Sequence, residues 1–522
     1  MEENIALKPE KVFNTADIGF AFVMLACGFL YWNLIDFFSL GAGVTLFAAV
    51  LFGASFIYLS KSKIKGSRWS FVPLLLAGFC ALQFALFDNR VIRQLNFLFL
   101  SALFIYWICL STGRRIDKKL SVYIAGDAVK QIMSIPFLNF GCCASGVKSF
   151  SKYGKIKAIL PAIIGIVLFL PLLLWVLYLL WSADLAFEKF INSAVEVISV
   201  ERLITYAVQF VIGIPVAFYL YGSVYGNVKG RHADCITAES VDNAAKAARF
   251  APRAAIYSVL TAFNAIYLLF FGVQAAYLFS AFGGDLPEVF TYAEYARRGF
   301  FELCAVAGIN LGVLLVSHLT VKRNEDENPR ALRVETLLIS LFTILLIATA
   351  LSKMVMYINA YGLTQLRVFT SWFMILLLFV FVVICVRQFK KFNSSRLIIL
   401  GFVLMFMALS YGNIDGVIAK YNIERYEAGT LSTFDADMLA GLSDAAVPHI
   451  YDMYLRTGER DSEMRERLKS AIMMSEWGAG GDSFREFNLQ KHRADEIRAL
   501  LNEEQIQAKQ GGGKTNLPPP PA

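Results

Sequence analysis

Glu294, Arg298 and Glu302 are spaced four residues apart, so on a helix they stack along one face at the mouth of an apolar run. Two carboxylates flanking a guanidinium at membrane depth could bind a polar solute, relay a proton or serve as an acid–base pair, and such residues mark a site by default. An interfacial ion pair that only fixes the helix is the alternative. Val306 and Asn310 continue the same row inward, while Cys304, Gly308 and Gly312 form a small-residue stripe on the other side. Such a stripe lets a second helix approach closely. Lys353 ends a later apolar run and Arg367 begins the next, at the same membrane level as the first three. The expected site is therefore an outer polar cluster of Glu294, Arg298, Glu302, Lys353 and Arg367, with Asn310 as an intramembrane polar residue. No residue is assigned a catalytic role.

The elements that must position these residues are membrane helices. Of 522 residues, 57% are hydrophobic and 17% charged, where soluble domains are nearer half apolar and a quarter charged. A helix needs about 20 apolar residues to cross a bilayer core. Eleven such runs are present: 16–35, 37–60, 69–87, 94–113, 158–181, 203–225, 252–280, 299–321, 334–358, 367–387 and 396–412. With the N-terminus inside, 28 Lys and Arg fall in inner segments against 8 in outer ones, the asymmetry of the positive-inside rule. Everything after Gly412 is then extracytoplasmic. The acidic start and the lack of a small-residue cleavage site argue against a cleaved signal peptide.

The chain divides into a transmembrane domain over 1–412, an extracytoplasmic helical region over 413–505 and a disordered tail over 506–522. Segment 114–157 is the longest inner loop, and Leu120, Tyr123, Ile124, Ala128, Ile132 and Ile135 recur at helical spacing among lysines. It reads as a helix in the inner interface or as one packed beneath the bundle. Pro171 and Pro215 fall inside spans and predict kinks. All eight cysteines lie before residue 413, so no disulfide framework is implied outside.

Several signatures are absent or false. GGGKT at 511–515 lacks the first glycine of a phosphate loop, since Ala508 stands there. The four histidines are far apart and have no ligand at metal spacing. No metal, no other cofactor and no nucleic acid is expected. The expected partners are the lipid bilayer and an envelope protein meeting residues 413–505.

Four stretches carry a resemblance: TYAEYARRGFFEL at 291–303, YGLTQLR at 361–367, NIDGVIAKYNIERY at 413–426 and LSDAAVPHIYDMY at 442–454. Their order and spacing resemble bacterial domain-of-unknown-function family 4173, with its relative 4153, across residues 160–500. In many members the third motif reads Asn-Pro-Asp; here Ile414 stands in the proline's place. The resemblance implies a multi-pass bacterial membrane protein and transfers no activity. The expected fold is all-α, a polytopic bundle of about 11 transmembrane helices with a small helical C-terminal region. The functional expectation is a transport or signalling protein of the cell membrane with a polar outer pocket. A membrane enzyme acting on a lipid-linked substrate and a non-catalytic scaffold are the alternatives.

Overall fold

The computed structural model describes residues 13–64, 66–117, 120–150, 200–283, 299–322, 329–431, 435–457, 461–474 and 483–509, with scattered positions between 169 and 187. Ten helices among the described residues are long and apolar enough to cross a membrane, and they coincide with ten of the eleven expected runs. The run at 158–181 lies largely outside the described residues, as do Glu294, Arg298 and the tail from residue 510. No strand occurs among the described residues; a single bridge ties Ala251 to Val321.

The spans form two sub-bundles, each with its own buried core. The first contains α1 (Thr15–Leu34), α2 (Ala42–Lys61), α3 (Phe71–Leu86), α4 (Arg90–Thr112), the short α7 (Cys142–Phe150) and α8 (Val200–Lys229). Between α4 and α7 run α5 (Ile124–Val129), a π-helical turn over Lys130–Ser134 and α6 (Ile135–Leu138). A short α9 (Ala238–Ala247) follows α8. The second sub-bundle contains α10 (Arg253–Gly283), α11 (Phe300–Thr320), α12 (Arg330–Tyr361) and α13 (Gln365–Phe389).

The last span, α14 (Ser394–Tyr411), joins the two. Its Gly401 lies so close to Phe379 of α13 that a Cβ there would meet the ring at 2.2 Å. Its Phe406 packs on Phe99 of α4, ring centroids 5.1 Å apart.

α1 and α8 make the tightest helix crossing. A Cβ on Gly28 would lie 2.3 Å from the Gly213 carbonyl oxygen, and one on Gly213 would lie 2.5 Å from that of Gly28. Only two glycines allow the backbones to meet there. By contrast, a Cβ on Gly308 or Gly312 would meet nothing within 4 Å. The two glycines of the predicted stripe therefore make no close helix approach among the described residues, while its Cys304 packs on the second core. Pro215 sits inside α8, as its position in a span requires.

α7 lies against the first half of α1, with Phe150 stacked edge-on to Phe22. α8 starts near the other end, where Tyr206 meets Phe29, and finishes beside Asp17. α7 thus ends beside the first half of α1, and α8 begins beside its second half.

Beyond α14 the helices are polar outside and apolar within: α15 (Ile414–Glu427), α16 (Ala436–Ala440), α17 (Val447–Arg456), α18 (Ser462–Met473) and α19 (Leu489–Lys509). Ile418, Ile450, Tyr451, Leu468, Ile472 and Ile497 close a third core at 2% exposure or less. These helices sit on the α1–α2 and α3–α4 connections. We call this the domain end, and the opposite end, with Lys61, Arg114 and Lys229, the basic end.

Candidate functional site

The predicted outer cluster is only partly assembled among the described residues. Glu302 is exposed in the first turn of α11. The Lys353 ammonium lies 3.4 Å from where a Cβ on Gly299 would be, and it feels the charge of Glu302. Arg367 does something else. Its guanidinium donates to the carbonyls of Tyr361 and Gly362 and stacks over the Tyr357 ring at 4.1 Å, so it caps the end of α12. Asn310 is fully buried: it accepts from the Tyr267 hydroxyl and donates to Thr343 at 2.8 Å. It ties α10, α11 and α12 together as polar glue between helices.

Three of the four motifs that carry the family resemblance converge somewhere else, on Asp415, while the first lies largely outside the described residues. Asn413 adopts a left-handed backbone at φ 44° and precedes α15. Ile414 is the first residue of that helix, a position that proline also suits, so the turn survives without it. Asp415 follows at 1% exposure. Its carboxylate accepts from Asn89 Nδ2 at 2.9 Å, Gln365 Nε2 at 2.7 Å and the Ser443 amide at 3.3 Å. Asn89 belongs to the first sub-bundle, Gln365 to the second and Ser443 to the external helices, so one buried anion joins three bodies.

The second motif is held by the third in further ways. Asn422 accepts from the Leu363 amide at 2.7 Å and donates to its carbonyl at 2.8 Å. Gly362 must be glycine: its φ is 75°, and a Cβ would meet Asn422 at 2.3 Å. Arg425 donates to the Asn359 carbonyl at 2.9 Å.

Two ion pairs flank Asp415. Asp88 pairs with Arg93, accepts from Asn488 Nδ2 at 3.1 Å and takes the Asp444 amide at 3.3 Å. Asp444, fully buried, pairs with Arg498 of α19. Gln490 donates to Asn413 at 2.7 Å and accepts from the Asp88 amide at 2.8 Å. The hydroxyls of Ser410 and Ser443 have no protein partner. They line a gap of about 10 Å³ beside Asp415, which is room for about one water. Such a joint fixes bodies in place and leaves no room for a substrate.

A second buried carboxylate, Asp17, stands at the basic end. The Asn14 side chain caps α1 and Asp17 caps it in return. The same carboxylate, 0% exposed, accepts from the Tyr58 hydroxyl at 2.7 Å and meets the Lys229 ammonium at 2.9 Å. Sequence reasoning missed Asp17; the Asn14-x-x-Asp17 spacing is the signal that could have found its cap, and no local signal points to Tyr58 or Lys229. Among the described residues, no group of His, Cys, Asp or Glu could hold a metal ion.

The fold and the joint define a class: a multi-pass helical membrane protein whose C-terminal helices are fastened to two membrane sub-bundles. The chain belongs to the family described as a domain of unknown function, DUF4153, whose profile it matches over residues 71–453. The motif resemblance names 4173 first, and the match falls on its relative. All of the residues that bond to Asp415 lie within the match, whereas Asp17 and Tyr58 precede it. No curated protein and no solved structure matches the chain.

Proposed function

We propose that this protein is a signalling protein of the bacterial cell membrane, with the basic end cytoplasmic and the C-terminal helices outside. The external helices meet an envelope partner and set the relation between the two sub-bundles. The observation that carries this reading is the Asp415 carboxylate, bonded at once to Asn89 of one sub-bundle and Gln365 of the other. A conformational signal requires a two-state element that both ends can bias, and a buried polar joint between separately cored bodies is suited to be one. Three of the intramembrane polar residues favour signalling over transport. Asn96 donates to Gln83 at 3.0 Å, Asn264 to Glu335 at 2.6 Å and Asn310 to Thr343, so each is tied to a neighbour.

The test places spin labels at Phe38→Cys and Asn359→Cys, exposed positions at the domain end of each sub-bundle, with the exposed Cys235 changed to Ser. In lipid nanodiscs the inter-label distance should be single and narrow, and Asp415→Ala should broaden it. An unchanged distribution removes the joint as a coupling element. Orientation is tested separately: a reporter active only outside the cytoplasm should be active after Asn488 and silent after Lys390.

A further inference from the structure

Over residues 128–138, at the basic end, the chain is inside out for a segment in water. Its exposed side chains are Ala128, Val129, Ile132, Met133, Phe137 and Leu138, all apolar, with Met133 and Phe137 both 58% exposed. Lys130 and Gln131 turn the other way and are each 2% exposed. Lys130 donates to the Arg114 carbonyl at 2.7 Å, and Gln131 exchanges amide hydrogen bonds with Asn227 at 3.1 and 2.7 Å. A surface helix in water turns its polar face outward. Within a bilayer the ionisable groups face the bundle instead.

The depth of the segment points the same way. α6 packs on α8, where a Cβ on Gly222 would lie 2.5 Å from the Pro136 carbonyl oxygen and one on Gly226 would lie 2.6 Å from Ile135 Cγ2. Small residues one turn apart permit that approach. Both glycines lie inside Ile204–Lys229, a stretch long and apolar enough to cross a membrane. About three turns inward of Lys229, or about 15 Å, the Tyr219 hydroxyl donates to the Ile132 carbonyl at 3.0 Å. Pro136 has no N–H to give to that carbonyl. An unpaired carbonyl is costly in hydrocarbon, and Tyr219 supplies the donor.

The segment is too short to cross. α5, the π-helical turn and α6 run for 6, 5 and 4 residues, which is at most about 22 Å of helix against a core of about 30 Å. α4 brings the chain to the basic end, and α7 receives it there against the first half of α1. We propose that residues 128–138 form a re-entrant segment seated in the leaflet of the basic end, with the exposed face against lipid acyl chains. The face carries no charge and stands beside a span, inward of its terminal lysine, where the surrounding medium is hydrocarbon. The proposal is independent of the signalling reading.

The test uses the full-length protein in phosphatidylcholine nanodiscs, with the exposed Cys235 and the half-buried Cys304 and Cys385 changed to Ser. Spin labels are placed singly at Met133→Cys and Phe137→Cys, and at Asn243→Cys, an exposed position of α9, as the reference. Power saturation reads collisions with oxygen, which concentrates in hydrocarbon, and with a nickel chelate confined to water. At 133 and 137 the nickel collisions should be lost, and the oxygen collisions should exceed those at 243. Val129→Cys replaces either label should that variant fail to fold. Nickel collisions at 133 and 137 equal to those at 243 place the face in water and overturn the proposal. Loss of collisions with both reagents means that protein covers the face, a second copy or another partner, and overturns it too.

Discussion

Asp17 and Asp415 are both buried carboxylates, at opposite ends of the same protein, and they are held in different ways. Asp17 has a counter-ion, the partly exposed Lys229 ammonium, and a local cap from Asn14 three residues away. Asp415 is bonded by neutral donors from segments 326, 50 and 28 residues distant. The first closes contacts within one sub-bundle. The second joins three separately cored bodies, and it belongs to a motif where the first does not. A buried anion satisfied only by amides is the more sensitive of the two, because each amide also depends on the position of its own body.

The largest effect should therefore come from Asp415→Ala. It orphans Asn89, Gln365 and the Ser443 amide, each costing about 1–3 kcal/mol when buried without a partner. Such effects do not add fully, so the loss should be about 3–5 kcal/mol. Detergent melts would read it, and proteolysis should release the C-terminal helices before the membrane core. Asp415→Asn keeps an acceptor oxygen and should lose about half as much. If Asp415→Ala melts like the wild type, the three bodies are held together elsewhere.

Lys229→Met comes next. It leaves Asp17 with Tyr58 and the Asn14 amide, so the carboxylate keeps two of its donors. Removing a partner from a fully buried pair costs about 3–5 kcal/mol. Lys229 retains 29% side-chain exposure, so solvent screening should bring the loss to about 1–3 kcal/mol. The double variant with Asp17→Asn should recover part of that loss. A loss exceeding that of Asp415→Ala would reverse the ranking of the two sites.

The contrast also separates what could be read in advance from what could not. The spans were legible because a bilayer-length apolar run is a local signal. The third motif was visible as a string, but the meaning of Asp415 depends on Asn89, 326 residues earlier, and no periodicity links them. The division into two sub-bundles was equally hidden, since every span is apolar whichever core it joins. Glycine spacing pointed to Gly308 and Gly312, while the close approach is made by two isolated glycines, Gly28 and Gly213. Spacing reports that a helix has a small face; it does not report whether a neighbour covers it.

A smaller effect, gated by pH, should arise within the external helices. Burial pushes the His449 pKa below its ordinary value of 6.5, while the carboxylates of Asp452 and Glu424 oppose that shift and Lys420 adds to it. Between the lowered folded value and 6.5 the unfolded chain binds the extra proton, so stability rises with pH across that window. The contribution is fully present above 6.5 and lost as pH falls through the folded value. Protease resistance of the C-terminal helices should therefore fall on mild acidification, and His449→Gln should flatten the profile. An identical profile in that variant assigns the acid sensitivity to another group.

The smallest effect should come from Glu302→Gln, in the cluster that residue spacing favoured. Glu302 is exposed, and its influence on Lys353 acts from the edge of a span. Exposed pairs are worth about 0–1 kcal/mol, so the melt should hardly move. Gly299 beside it is different. Its backbone is left-handed at φ 91°, with the Lys353 ammonium 3.4 Å from where a Cβ would sit. Gly299→Ala should cost about 1–2 kcal/mol from backbone strain alone, which exceeds the effect of the neighbouring charge. If Glu302→Gln proves the more damaging of the two, the carboxylate is held far more tightly than its exposure indicates. The domain end would then contain a second polar centre comparable to Asp415.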